Sequence, residues 1–204
     1  MSLNELDFQV PIDRPLLPEI DTWLAGSRAR IEMYWDHFSQ KPLPQYIECD
    51  FDLVASALTQ CVERDLVDGR LFVEWGCGFG VVTGIASLLG LDAIGIEAEE
   101  FLCAEARKLL EKHTVKAEIW QGNFLPAGAR KLAEDTDPLV SLTHSIPPAY
   151  EKYDLPLEDF AMVFAYPWPG EEHFLRAVFN RFARAGALLL MFRGPYQIEL
   201  YRKR

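Results

Sequence analysis

The chain has 204 residues, with 20 Lys and Arg against 31 Asp and Glu, and half of its residues are hydrophobic. That length suits one well-buried α/β domain and is too short for two full ones, and the balance of apolar to charged residues excludes wholesale disorder. A net charge of −11 opposes non-specific binding to phosphate backbones, so free nucleic acid is not expected as a partner, and no apolar run approaches the roughly 20 residues of a membrane span.

The start of the chain, Met1-Ser2-Leu3-Asn4-Glu5-Leu6-Asp7, is acidic and lacks the basic and apolar regions of a signal peptide, so a cytoplasmic location is expected. Pro11, Pro15 and Pro18 mark an irregular entry, after which Asp21 reads as the N-cap of a helix over residues 21–38. Its apolar face would carry Trp23, Leu24, Ile31, Tyr34, Trp35 and Phe38 at helical spacing. Residues 1–50 are therefore expected to form a helical extension outside the sheet, serving as a cover on the sheet or as a lid. Lys41-Pro42-Leu43-Pro44 breaks the chain, and a second helix is expected over 52–67, stopping at Asp68-Gly69.

Residues 51–204 read as the main domain. Strands at 71–75, 93–97 and 116–121 alternate with helices at 80–89 and 98–112, a pattern that implies a parallel sheet with right-handed crossovers. A short helix over 127–134 precedes a long loop at 136–158 that carries His144, Tyr150 and Tyr153. Then come a strand at 160–165, a helix at 171–183, an apolar strand at 187–192 and a last strand at 196–203. Cys49, Cys61, Cys77 and Cys103 form no Cys-x-x-Cys pair and have no His cluster nearby, so neither disulfides nor a metal site are expected.

The most informative stretch is Glu74-Trp75-Gly76-Cys77-Gly78-Phe79-Gly80, a glycine turn between the first of these strands and its helix. A dinucleotide fingerprint wants a third glycine at the position Val81 occupies. Glu74 would also oppose a diphosphate by like charge, whereas it suits a ligand bearing an ammonium and a sulfonium. A nicotinamide-dependent dehydrogenase is disfavoured on both counts. Ala93-Ile94-Gly95-Ile96-Glu97 ends in an acid roughly twenty residues further on, and Gly122-Asn123-Phe124 follows the third strand.

In this order the motifs resemble those of class I S-adenosylmethionine-dependent methyltransferases. The resemblance implies a Rossmann-like, doubly wound, mostly parallel sheet, and the C-terminal strands are expected to be shortened. It implies S-adenosylmethionine as cofactor, held by Glu74, Trp75, Gly76, Cys77, Gly78, Gly80, Glu97, Ala98, Asn123 and Phe124. Glu74 would favour the ligand's ammonium, Glu97 would accept from both ribose hydroxyls, and Asn123 and Phe124 would lie beside the adenine. Tyr166-Pro167-Trp168-Pro169 falls where that family places its reaction-centre loop. Tyr166, Trp168 and His173 are the catalytic candidates, although Tyr166 stands where amino-methylating members often carry Asn or Asp. A weaker likeness, to the non-SET histone-lysine methyltransferases, runs through residues 51–74 and 164–172. The methyl acceptor and the oligomeric state are not legible. A catalytically silent S-adenosylmethionine-binding protein is the alternative.

Overall fold

The computed structural model describes residues 2–11, 14–38, 46–133, 146–195 and 197–204. Among these residues seven strands form one sheet: β1 (Leu3–Glu5), β2 (Leu71–Trp75), β3 (Asp92–Glu97), β4 (Glu118–Gln121), β5 (Met162–Ala165), β6 (Leu188–Gly194) and β7 (Gln197–Lys203), in the spatial order β1-β7-β6-β5-β2-β3-β4. The run from β4 to β6 is parallel, and β7 and β1 are antiparallel to their neighbours. The helices are α1 (Pro18–Phe38), α2 (Phe51–Glu63), α3 (Val81–Leu88), α4 (Glu100–Lys112), α5 (Ala149–Lys152) and α6 (Glu172–Phe182).

Period-two alternation sorts the buried strand residues onto two faces. Phe72, Met162, Phe164, Leu188 and Leu190 join the core formed with α1 to α4. Val73, Val163, Leu189 and Met191 join the opposite core, formed mainly with α6 and α5. Strands buried on both faces read as continuous apolar runs, which is why β5 and β6 stand out in the sequence.

Several boundaries differ from the sequence reading. The first helix begins at Pro18 rather than after Asp21, because proline supplies a helix-compatible φ and its missing N–H is no loss in the first turn. The second helix is capped by Asp50, whose Oδ1 accepts the Leu53 N–H at 3.0 Å, and it ends at Glu63. Asp65, at φ 52°, takes the left-handed position expected of Gly69, and Leu66 N–H returns to Cys61 O at 3.0 Å. The helix expected over 127–134 is a 3-10 turn at Ala129–Leu132.

The described residues among the first fifty are part of the packed domain. β1 pairs with β7, Leu3 opposite Lys203 and Glu5 opposite Tyr201, so the N-terminus supplies the edge of the sheet. The C-terminal strands are not short: β6 and β7 have seven residues each. In α1, Ile20, Trp23, Leu24 and Ile31 are at most 2% exposed. Burying each contributes about 1.5–3 kcal/mol, so undocking the helix would consume much of the roughly 5–15 kcal/mol by which a domain is stable. Helix α1 is therefore core and not a lid. Trp23 Nε1 donates to Val81 O at 2.9 Å, and ion pairs Arg28–Asp52 and Arg30–Glu105 tie α1 to α2 and α4. The Phe38 side chain, Lys41-Pro42-Leu43-Pro44 and His144 lie outside what is described.

The described part of the 136–158 loop is structured. Asn123 N–H donates to Pro147 O at 3.0 Å and Ala149 N–H to Asn123 O at 2.9 Å, which docks the segment beside the end of β4. Tyr150 is buried with its hydroxyl accepting from Trp75 Nε1 at 2.7 Å, and Tyr153 stacks on Trp120 at 4.5 Å. No described helix is long and apolar enough to cross a membrane.

Candidate functional site

The chain leaves β2 toward β3 and β4 on one side and later fills β5 and β6 on the other, so the strand order reverses between β2 and β5. Ligands of open α/β sheets bind at the carboxyl end of such a switch point. A pocket of about 690 Å³ lies there, bordered by the glycine turn, the ends of β3 and β4, and the loop after β5.

The three glycines of the turn all have positive φ, 71° at Gly76, 53° at Gly78 and 72° at Gly80, but they serve different ends. Gly76 lines the pocket, and a Cβ there would meet nothing within 4 Å. A Cβ on Gly78 would fall 2.6 Å from the Tyr46 ring, so this glycine lets Tyr46 lie against the turn. Gly80 does not border the pocket; its Cβ would approach Ala106 Cβ and Ile119 Cδ1 at 3.2 Å, beneath the turn. The ligand-facing role expected of Gly80 is thus replaced by close packing of α3 on α4 and β4. Cys77 borders the pocket but is buried, and burial followed by the nearby Glu74 raises its thiol well above the usual range. It behaves as a small packing residue.

Two buried acids organise the turn. Glu74 Oε2 accepts both Thr83 N–H at 2.7 Å and Thr83 Oγ1–H at 2.5 Å, which holds the first turn of α3. Burial pushes the Glu74 carboxyl up to about 8; the Thr83 bonds oppose the rise and Glu97 adds to it. Glu97 Oε2 accepts Gly78 N–H at 2.8 Å, while Oε1 accepts Ala98 N–H at 2.7 Å and Glu99 N–H at 2.9 Å. Burial also raises Glu97, against those backbone bonds. Both acids border the pocket.

Trp75, Ala98, Asn123 and Phe124 converge on the same end. Trp75 and Phe124 stack at 5.5 Å with a 14° tilt, and Asn123 Oδ1 accepts Leu125 N–H at 2.9 Å, which shapes the turn after β4. Apart from Gly80, every residue assigned to the cofactor from the sequence meets in one pocket.

The other end holds Tyr166 and Trp168. Tyr166 packs edge-on against Phe192 at 4.9 Å, and its hydroxyl is raised by burial and by Cys49. Trp168 is half-buried, and its N–H donates to Glu171 Oε2 at 3.3 Å. His173 is not with them. It sits on the exposed face of α6, with Nδ1 at 3.2 Å from Arg176 Nη2, because the helix turns residue 173 away from the face that buries Phe174 and Leu175.

Residues that the sequence reading did not assign to the site also border it. Tyr46 and Cys49 come from the segment before α2, and Glu171, Glu172 and Arg193 from the far side. Glu172 Oε1 pairs with Arg193 Nη2 at 3.1 Å and its Oε2 accepts Gly170 N–H at 2.9 Å; Arg193 Nη1 lies 3.6 Å from Glu199 Oε2. Two acids at a helix start read as macrodipole partners, and an arginine at a strand end carries no motif, so only the fold brings them together. No group of three or more possible metal ligands occurs among the described residues.

No protein-family description matches the sequence, and no curated protein matches it. Solved structures do resemble it. A methyltransferase from Geobacter sulfurreducens superposes with a TM-score of 0.55 at 15% identity, over 93% of each chain. An O-methyltransferase from Bacillus cereus, solved in complex with S-adenosylhomocysteine (SAH), gives a TM-score of 0.51 at 16% identity, over 88% of this chain and 68% of that one. The chain has the class I methyltransferase fold. At these identities the likeness speaks to the fold, and the chemistry rests on the residues.

Proposed function

We propose that the chain is an S-adenosylmethionine-dependent methyltransferase. The observation that carries the reading is the Glu97–Gly78 unit: the acid closing β3 holds the glycine turn after β2, at the mouth of a switch-point pocket. The residues suit the cofactor's parts. Gly76 leaves the space that a side chain would fill. Thr83 occupies only one oxygen of Glu74, which leaves the other for an ammonium. Three backbone N–H groups already occupy Glu97, and a carboxylate has about four acceptor sites, so one remains for a ribose hydroxyl rather than the two expected. Trp75 and Phe124 offer an aromatic wall for the adenine.

When bound, the cofactor supplies a methyl group on a positively charged sulfur. The chain's own task is to hold and align the reactants, and Tyr166 and Trp168 border the space left for the acceptor. Calorimetric titration with S-adenosylmethionine and SAH, beside NADH and NADPH, tests the reading. Micromolar binding of the sulfur ligands alone is expected; a nicotinamide preference, or binding of neither class, would overturn it.

A further inference from the structure

Among the described residues that border the pocket, the carboxyls are Glu74 and Glu97, whose burial favours the neutral form, and Glu99, Glu171 and Glu172, and the single basic side chain is Arg193. Neither Lys nor His is present there. Arg193 is a poor anion site: Glu172 holds its Nη2, Glu199 approaches its Nη1, its Nε is buried, and the three side chains are no more than 26% exposed. An anionic acceptor would have to displace one of these carboxylates. Glu171 borders the same pocket, is 1% exposed, and accepts the Trp168 N–H at 3.3 Å.

Three carboxylates, Glu171, Glu172 and Glu199, thus gather with the one guanidinium of Arg193 at the cavity end between β5 and β6, which also carries two aromatic side chains, Tyr166 and Trp168. A cation is attracted by both, through the carboxylates and through the ring faces. A phosphate or carboxylate is repelled by the first and gains nothing from the second. We propose that the acceptor is an amine, bound as its ammonium between the Tyr166–Trp168 loop and Glu171. This rests on the methyltransferase reading and names the substrate class of that site.

The chemistry then needs one proton moved. The ammonium gives a proton to the Glu171 carboxylate, which frees the nitrogen lone pair. The nitrogen forms its bond to the methyl carbon as the methyl–sulfur bond breaks, and that electron pair leaves on sulfur. The product is a methylated ammonium beside a neutral thioether, and the released proton passes from Glu171 to solvent.

The test uses three probes of one shape in calorimetry: 2-phenylethylamine, 2-phenylethanol and 3-phenylpropionate, each titrated into free and SAH-saturated protein. The amine is expected to bind about tenfold or more tightly than the alcohol, and the carboxylate not at all. Glu171→Gln, if folded by circular dichroism, should erase that preference and leave SAH affinity unchanged. Equal or tighter binding of the alcohol or the carboxylate, or binding of none of the three, overturns the inference, and the wild-type ranking decides even if the variant does not fold. Failure to bind SAH would instead sink the methyltransferase reading, while the ranking on the free protein still judges the charge of the pocket.

Discussion

The Glu97 carboxylate accepts the Gly78 N–H at 2.8 Å, so the acid ending β3 and the glycine turn after β2 are one mechanical unit. Glu97→Ala would strip the acceptor from three backbone N–H groups as well as from a ligand hydroxyl. Hydrogen bonds to a charged group are worth about 1.5–3 kcal/mol each. The variant is therefore expected to lose both SAH affinity and thermal stability, with Glu97→Gln intermediate because it keeps one oxygen. Calorimetry and thermal unfolding read the two losses; a folded Glu97→Ala protein with unchanged SAH affinity would remove Glu97 from the site.

Glu74 carries a pH dependence of definite sign. Burial raises its carboxyl from 4.5 to about 8, so the folded protein holds a proton there that the unfolded chain has released. Its contribution to stability is complete below 4.5 and is lost as pH rises through about 8. Glu74→Gln, which mimics the protonated form, should flatten the fall in stability across that window. An ammonium-bearing ligand acts in the opposite sense by favouring the carboxylate. Binding of S-adenosylmethionine should then release a proton and tighten as pH rises toward about 8, whereas Glu74→Gln should bind without proton release. Titration in buffers of different ionisation enthalpy measures the proton count, and release unchanged in the variant would separate Glu74 from the ligand.

The part of the fold that was legible is the part made of contiguous signals. β2, its glycine turn, α3 and β3 follow one another within residues 71–97, and each has its own period or turn chemistry. What was not legible depends on distant partners. Three residues, Leu3–Glu5, carry no readable period, and only pairing with β7 makes them a strand. Arg193 enters the site because β6 lies beside β5, which no local pattern announces. His173 was misplaced for a simpler reason: its neighbours Phe174 and Leu175 fix the helix phase that turns it outward. Gly80 fitted a motif spacing whose third glycine answers to Ala106 and Ile119 instead of to a ligand.

The docking of α1 can be tested at Gly84. A Cβ there would lie 2.3 Å from Trp23 Cζ2, on a ring that is 1% exposed and pinned by its bond to Val81 O. Alanine would gain about 1 kcal/mol of helix propensity over glycine, but overpacking a filled core costs typically about 1–3 kcal/mol. With the ring unable to swing aside, the clash outweighs the propensity. Gly84→Ala should lower the unfolding temperature. A neutral or stabilised variant would mean that Trp23 yields easily and that α1 is more mobile than its burial implies.

Tyr166 and Trp168 border the same end of the pocket, yet their substitutions should separate. Tyr166 packs edge-on against Phe192 at 4.9 Å, a contact worth about 0.5–1.5 kcal/mol beyond its buried area. Tyr166→Ala should therefore lose stability along with turnover, and Tyr166→Phe should keep the packing and isolate the hydroxyl. Trp168 is only half-buried, and its bond to Glu171 uses the backbone N–H, which any residue except proline supplies. Trp168→Ala should accordingly leave folding and SAH affinity near the wild type while lowering kcat/KM for the methyl acceptor. Steady-state kinetics with an amine acceptor, beside SAH calorimetry on the same variants, reads the difference. Equal loss of SAH affinity and turnover in Trp168→Ala would make the loop a scaffold for the cofactor rather than a wall for the acceptor.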